Sequence, residues 1–543
     1  MQSKEPLNYS PFPLDKDFLL TNVEKESIFI AAIDIGTNST HLLVSLINPT
    51  LNTFSIELAE KVTTRLGERD PLSGDLTDEA MDRVLETLRN FKEIARSYGV
   101  KAIITAATSA VREAPNGKQF IENIKITLGL NIDLITGLEE ARLIYLGVLS
   151  GMRFDRKSYL ILDIGGGSTE LILADNEDAR ALTSTKIGAV RLQREFINKE
   201  PIPDQKIEFL KAYIQGSLEQ AVEKINSRIK MDETTSLIAT SGTAMAIGNL
   251  IAHEESKGIK LQGYIFSKTQ LDNIIQKLIS MNLEQRKKLT SLNDRRAEII
   301  IPGALILQTT MKLLNKQNII LSERALREGL IVDWMIRNGF LEDRFSYQKD
   351  IRQRTVIHQV ERFSVDKKRA QNVANHAITL YESTKDILHN DTGQGRDLLW
   401  AAAMLHSCGR HISSSSYHKH SWYLIRNGEL LGYSHSEHLI IAAIARYHRK
   451  SLPKKRHEAW QTITDREDRL LVMKMSLLLR LASAIDRRPD PIVLDLQVQL
   501  VESEVRIALK PRSIQQDLSL EKWSLMSCRD SIKETTGFDL VLE

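Results

Sequence analysis

Cysteine is nearly missing from this 543-residue chain: Cys408 and Cys528 are the only two, too few for a disulfide framework. That scarcity suits a reducing compartment. No apolar run reaches the roughly 18 residues that a membrane span needs. The opening stretch, MQSKEPLNYSPFPLDKDF, lacks the apolar core of a secretory leader. These absences predict a soluble cytoplasmic protein with no integral membrane association, peripheral contact with the membrane being the one alternative. An excess of one charge is lacking too. With 73 Lys and Arg against 70 Asp and Glu, the formal charge is +3, so no overall field calls for nucleic acid as a partner. A polyanion must be met by a local patch. Low-complexity tracts and heptad arrays are also absent.

At this length one core cannot serve the whole chain, and three or four domains are expected. The most informative stretch is Leu160 to Leu173, LILDIGGGSTELIL. Strand formers run to Asp163, the glycines Gly165, Gly166 and Gly167 turn the chain, and Ser168, Thr169 and Glu170 open a second apolar run. Consecutive glycines let backbone approach a ligand without a Cβ in the way. Their N–H groups and the neighbouring hydroxyls form a nest for phosphate oxygens, and Asp163 and Glu170 would add carboxylates for magnesium. A plain hairpin accounts for one such turn equally well. A second copy argues against that. Asp34 to Val44 reads DIGTNSTHLLV and shares Asp, Ile, Gly, Ser, Thr and Leu with the first at a spacing of 129 residues. Recurrence of polar tips predicts a duplicated domain whose cleft is lined by both copies.

Before the central hairpin, strands are expected near 28–34, 41–47 and 53–64. Thr77 is an expected N-cap for a helix whose apolar residues Ala80, Val84, Leu88, Phe91 and Ala95 keep helical spacing up to Gly99. A strand over 101–107 then delivers TAATSAVREAPNG, where Arg112 either pins a phosphate bidentately or pairs with Glu113 at the surface. Thr136 and Glu139 have the spacing of a capping box. Glu140, free of that duty, is either a general base for water or a solvated helix residue. Past the central hairpin, TKIGAVR (185–191) reads as strand and turn, 204–229 as an amphipathic helix, and LIATSGTAMAIGNL as strand, small-residue turn and helix. That last turn touches phosphate through a helix N-terminus or is simply a tight connection. Helices over 293–307 and 322–331 close the unit.

From about Phe340 helical periodicity dominates, and eight of the thirteen histidines fall within 401–460, with nine Lys and Arg against three Glu. This excess suits a polyanion track, or an ordinary solvated face. Residues 491–543 alternate apolar and polar positions as half-buried strands do. The domain reading is therefore an arm over 1–26, paired α/β domains over 27–147 and 148–338, a helical domain over 339–490, and a small α+β domain over 491–543.

Five motifs in order, AIDIGTNSTHLLV, TAATSAVREAPNG, ITGLEEARLIYLGV, LILDIGGGSTELIL and ATSGTAMAIG, resemble those of the exopolyphosphatase/guanosine pentaphosphatase family, within the actin-like, sugar-kinase and heat-shock ATPase superfamily. The resemblance covers about residues 28–490. It implies two ribonuclease-H-like domains with the active site between them, and magnesium-dependent removal of a terminal phosphate, with a monovalent cation such as potassium as a further candidate cofactor. By motif, Glu140 matches the catalytic glutamate. Asp163 and Glu170 match metal-linked carboxylates, joined in our assignment by Asp34. Gly165 to Ser168 match one phosphate loop, Asp34, Thr37, Asn38 and Ser39 the other, and Arg112 a phosphate-contacting arginine. The helical part resembles an HD-phosphohydrolase-like domain, with His376, His406, His448 and Asp486 at ligand positions. Its defining His-Asp pair is broken by Ser407, which predicts an inert site whose histidines pack or contact phosphate.

The leading expectation is a processive exopolyphosphatase acting on inorganic polyphosphate, the basic helical region guiding the chain across a homodimer. Guanosine pentaphosphate is the alternative substrate. An actin-like kinase or ATPase comes third, and a non-enzymatic polyphosphate or alarmone sensor fourth.

Overall fold

The computed structural model describes residues 27–543 apart from 50, 155–156, 198–199, 232, 256–259, 342–350, 386–388, 390–393, 429, 431–432, 434, 489 and 514. The expected arm over 1–26 lies outside the described residues, as do Glu429 and the His435 side chain of the basic window. The chain divides into two compact units, Met1–Ile351 and Arg352–Glu543.

The first unit holds two sheets built on one plan. In one, β1 (Ile28–Ile35), β2 (Thr40–Asn48) and β3 (Thr53–Val62) form an antiparallel meander, and β4 (Ala102–Ala107) and β5 (Asp133–Leu134) add in parallel on the other side of β1. In the other, β6 (Ser158–Ile164), β7 (Thr169–Ala174) and β8 (Ala179–Thr185) repeat the meander. There β9 (Thr235–Thr240) lies parallel to β6, followed outward by β11 (Asn318–Leu321) and β10 (Ile265–Ser267). The repeat extends to register. Asp34 pairs with His41, and Asp163 pairs with Glu170. β1 and β6 are central strands, covered on both faces, which is why both read as continuous apolar runs.

The expected strand over 185–191 is corrected. β8 ends at Thr185, and the helix Ala189–Phe196 begins four residues later. The reason is tertiary: Gly165 O accepts from Ala189 N, and Gly166 O accepts from Val190 N and Arg191 N, each at 3.0 Å. The second glycine loop thus supplies acceptors for the first N–H groups of that helix, which would otherwise be orphaned. Helix Asp78–Ser97 starts as expected, Thr77 Oγ1 accepting from Ala80 N at 3.3 Å. The capping box at 136 forms by half. Thr136 Oγ1 accepts from Glu139 N at 3.2 Å, but the Glu139 carboxylate is held by Arg142 at 2.7 and 2.8 Å.

Two helices lie between the sheets. Gly137–Gly151 packs on β7 and β8, Leu326–Arg337 packs on β1 and β2, and the two pack on each other. Their approach is set by glycine: a Cβ on Gly147 would sit 1.8 Å from Ala325 O, and one on Gly329 would sit 1.9 Å from Leu143 O.

The second unit is mainly helical, its longest helices being Lys367–Ser383, His435–Tyr447 and Arg466–Ile485. It ends in a three-stranded sheet, β12 (Val493–Val501), β13 (Glu504–Pro511) and β14 (Asp539–Leu542). Two helices, Ser519–Met526 and Arg529–Thr536, separate β13 from β14. Leu380, Ala402, Ile441 and Leu478 share one buried cluster with Leu496, Ile507 and Leu540, so helices and sheet have a common core. Among the described residues no helix is long and apolar enough to cross a membrane.

Candidate active site

Both hairpin tips are closed by the same bond: Gly36 N donates to Ser39 O at 3.1 Å, and Gly165 N donates to Ser168 O at 2.9 Å. The two tips meet. A Cβ on Gly166 would stand 2.9 Å from Thr37 Cβ, and one on Gly167 would stand 2.5 Å from Ser109 Oγ and 3.0 Å from Thr37 Oγ1. Glycine is required here because one loop lies against the other. Between them is a cavity of about 330 Å³, lined by Asp34, Thr37, Asn38, Ser39, Asp163, Gly165, Gly166, Gly167, Ser168 and Glu140. Glu170 is buried and does not itself line the cavity; it lies beside Asp163 in register and accepts from Ser184 Oγ at 2.7 Å. Arg112 does not line the cavity but donates to Glu140 Oε2 at 3.2 Å and to Ile135 O at 2.7 Å.

This geometry removes two of the plainer alternatives. Arg112 pairs with Glu140, while Glu113 is taken by Ser109 Oγ at 2.7 Å and Arg191 at 2.6 Å. Glu140 is not a solvated helix residue, being only 8 % exposed.

Burial gathers charge that water would normally disperse. Asp34 is pushed up to about 7 by burial, then by Glu140, with Arg327 acting in the opposite direction. Asp163 is pushed up to about 7 by burial, then by Glu140 and Asp34. Burial also raises Glu140 and Glu170, though the adjacent Arg112 holds Glu140 back. Asp34 Oδ1 is buried with no hydrogen-bond partner. Repelling carboxylates with an orphaned acceptor fit a hard, oxygen-seeking divalent cation such as magnesium, which takes one or two carboxylates and completes its shell with water and phosphate. Among the described residues no three His, Cys, Asp or Glu side chains are grouped as a metal cage.

The same cavity has a cationic wall that sequence reasoning missed. Lys61, Arg296 and Arg327 line it together with His41. Lys61 is pushed down to about 8 by burial and then by Arg296 and Arg327. A Cβ on Gly242 would meet Arg296 Nη2 at 2.0 Å, so the guanidinium lies against the third turn. There Ser241 has φ +87°, and its hydroxyl and that of Thr243 are buried without partners. A non-glycine residue in that region is strained, and the turn opens the helix Ser241–Glu255. Of Ser241 and Thr243, the former lines the cavity, and a helix N-terminus with a free hydroxyl facing a cavity is suited to anions. Arg296 and Arg327 sit in segments (NDRRAE, SERALREG) that read only as helix starts, and nothing local distinguishes them from surface cations.

In the second unit, His406, His448 and Asp486 line one cavity, whereas His376 is buried elsewhere, facing Asp495 and Arg512. Asp486 is held by Arg369 at 2.7 Å, and the Nδ1 atoms of His406 and His448 bond to Ala403 O and Ala445 O at 2.6 Å.

Comparison with known proteins agrees with this architecture. A family model described as the Ppx/GppA phosphatase family matches residues 43–338, and one for domain III of the same family matches 351–528. A guanosine-5'-triphosphate,3'-diphosphate pyrophosphatase of Pseudoalteromonas translucida is 32% identical over 430 residues, 78% of this chain and 81% of its own. One of the same description from Pseudoalteromonas atlantica is 27% identical over 91% of this chain and 94% of its own. Among solved structures, an exopolyphosphatase from Cytophaga hutchinsonii is 27% identical with a TM-score of 0.53, covering 57% of this chain and 98% of its own. The Aquifex aeolicus Ppx/GppA family member is 25% identical with a TM-score of 0.50, covering 58% and 99%.

Proposed function

The chain belongs to the Ppx/GppA phosphatase family of phosphoanhydride hydrolases, and from that premise we propose that it removes the terminal phosphate of inorganic polyphosphate, releasing orthophosphate processively. The observation that carries this reading is the cavity itself: two glycine loops, a buried glutamate and a cationic wall, with no Phe, Tyr or Trp among its described lining residues. A condensed phosphate needs donors and cations along its length. A purine also needs a stacking face, and among these lining residues the planes at hand are the His41 imidazole and the Arg296 and Arg327 guanidinium groups.

The N–H groups of Gly166 to Ser168 and of Thr37 to Ser39, with the loop hydroxyls, hold the terminal phosphate. Lys61, Arg296 and Arg327 hold the phosphates behind it. Glu140 accepts a proton as the water oxygen attacks terminal phosphorus, and the anhydride bond breaks to leave a chain one phosphate shorter. Arg112 positions Glu140 and keeps its carboxylate available as a base. Magnesium held by Asp34 and Asp163, with Glu170 behind them, would neutralise charge on the phosphate oxygens. Removing the base should lower kcat by about 10²–10⁴. In Glu140→Gln, turnover should fall by that much while polyphosphate binding persists, and unchanged turnover would reject the assignment.

The second reading is hydrolysis of guanosine pentaphosphate. It is favoured by relatives that match 78% and 91% of this chain and carry that activity in their names. Both substrates present the same terminal phosphate to the same loops. Measuring kcat/KM on both with one preparation decides between them.

A further inference from the structure

The candidate active site shares a wall with a second cavity of about 500 Å³. Thr37, Ser109 and Gly167 line both, so these three residues are the partition between them. Glu140, Lys61, Arg296 and Arg327 line the active-site cavity alone. At Gly167 the partition is backbone without a side chain. A Cβ there would stand 2.5 Å from Ser109 Oγ and 3.0 Å from Thr37 Oγ1, so two small hydroxyl side chains close the wall. Ser109 Oγ is tethered from the second cavity, where it donates to Glu113 at 2.7 Å.

Arg69, Arg191 and Arg194 line this second cavity with two acids, Asp70 and Glu113. Both acids are engaged. Asp70 accepts from Leu72 N and Ser73 N at 2.9 and 2.8 Å within its own turn, and Glu113 accepts from Arg191 Nη2 at 2.6 Å. Arg191 also reaches the partition, its Nε donating to Gly167 O at 3.0 Å. Arg69 forms no ion pair among the described residues, its guanidinium being held by Gly74 O and Ala110 O. Arg194 donates to Gly67 O at 2.9 Å and comes no closer than 3.8 Å to a carboxylate, that of Glu195. Gly67 N in turn donates to Thr37 O at 2.8 Å, which ties Arg194 to the first loop. Burial first, and then Arg194, lower Arg69 from its ordinary value, with Glu113 and Asp75 opposing. Carbonyl bonds fix the direction of a guanidinium without neutralising it, so Arg69 and Arg194 keep their charge for an anion.

We propose that this cavity is the exit site for orthophosphate, which passes the Thr37, Ser109 and Gly167 partition to Arg69 and Arg194 while the shortened chain stays on Lys61, Arg296 and Arg327. The inference rests on the hydrolysis proposed above. Cleavage leaves orthophosphate against the glycine loops, with the remaining chain filling the way it came in. Release past the chain would require the chain to leave first, and every turnover would end in dissociation. An exit through the partition lets the chain advance by one phosphate into the place vacated, as processive release demands. Three arginines against two carboxylates attract a departing dianion, and so small an excess of charge favours passage over retention.

The test is product inhibition of the full chain by inorganic orthophosphate, measured over a range of polyphosphate concentrations. Orthophosphate entering through the exit binds while the chain is in place, so it should lower the maximal rate even at saturating polyphosphate. In Arg69→Gln and in Arg194→Gln the inhibition constant should rise by about tenfold, the worth of one charge-assisted hydrogen bond, with the KM for polyphosphate unchanged. Inhibition that saturating polyphosphate relieves completely overturns the proposal, as does an inhibition constant unaltered in both variants. Should Arg69→Gln lose its cooperative unfolding transition, Arg194→Gln, whose side chain is 48% exposed, carries the same criteria alone. If polyphosphate is not hydrolysed, the substrate reading fails by itself. Guanosine pentaphosphate, which releases the same orthophosphate, then takes its place, and the same inhibition pattern decides for or against the exit. No orthophosphate from either substrate overturns both.

Discussion

Neutralising Asp34 should stabilise the metal-free protein, and should do so more strongly at alkaline pH. In the folded state its carboxyl titrates near 7 instead of 3.8. A carboxyl raised in this direction contributes most to stability below the unfolded value and loses that contribution as pH rises through the folded value. From pH 5 to the folded value near 7 about two units of titration remain, at about 1.4 kcal/mol each. The advantage of Asp34→Asn over wild type should therefore grow by about 3 kcal/mol between pH 5 and pH 8. For a unit of this size that corresponds to about 4 °C in Tm. Differential scanning calorimetry in EDTA, following the transition of the first unit at both pH values, measures it. Magnesium should reverse the trend, raising the wild-type Tm more at pH 8 than at pH 5 and the variant's Tm less. Equal shifts at the two pH values, or a larger advantage at pH 5, would refute the claim that uncompensated charge is stored at Asp34.

Replacing Arg112 by Met removes the cation that holds the Glu140 carboxyl down, so the acid limb of the kcat/KM profile should move to higher pH. An unmoved limb would mean that another group is the titrating base. Lys61 loses its proton near pH 8, so the KM for polyphosphate should rise above that pH in wild type and stay flat in Lys61→Arg, read from initial rates. Gly147→Ala places a methyl group against Ala325 O in the helix contact between the sheets. Overpacking of this kind costs about 1–3 kcal/mol, to be read from the denaturation midpoint of the first unit.

How much was legible beforehand varied with the range of the interaction responsible. Helix Asp78–Ser97 could be read in full because its cap at Thr77 and its apolar stripe are local. The hairpins at Asp34 and Asp163 were legible because strand pairing and the glycine turn between strands are local too. β8 was not, since ARALTST is weakly strand-forming and gains its place by pairing with β7. TKIGAVR was misread because the acceptors that start its helix come from Gly165 and Gly166, more than twenty residues earlier.

The candidate site divides in the same way. From the sequence came the carboxylates, hydroxyls and glycines, since a turn near a ligand imposes its residue types on consecutive positions. Only the tertiary structure decided which cations join them. Lys61, Arg296 and Arg327 lie on a strand and two helices separated by up to 266 residues, and each is unremarkable within its own segment. It also decided that Arg112 faces Glu140 and not Glu113, and that His376 is apart from His406 and His448. Burial and charge pairing are properties of the packed chain, because they depend on what other segments bring near and on how much water is left.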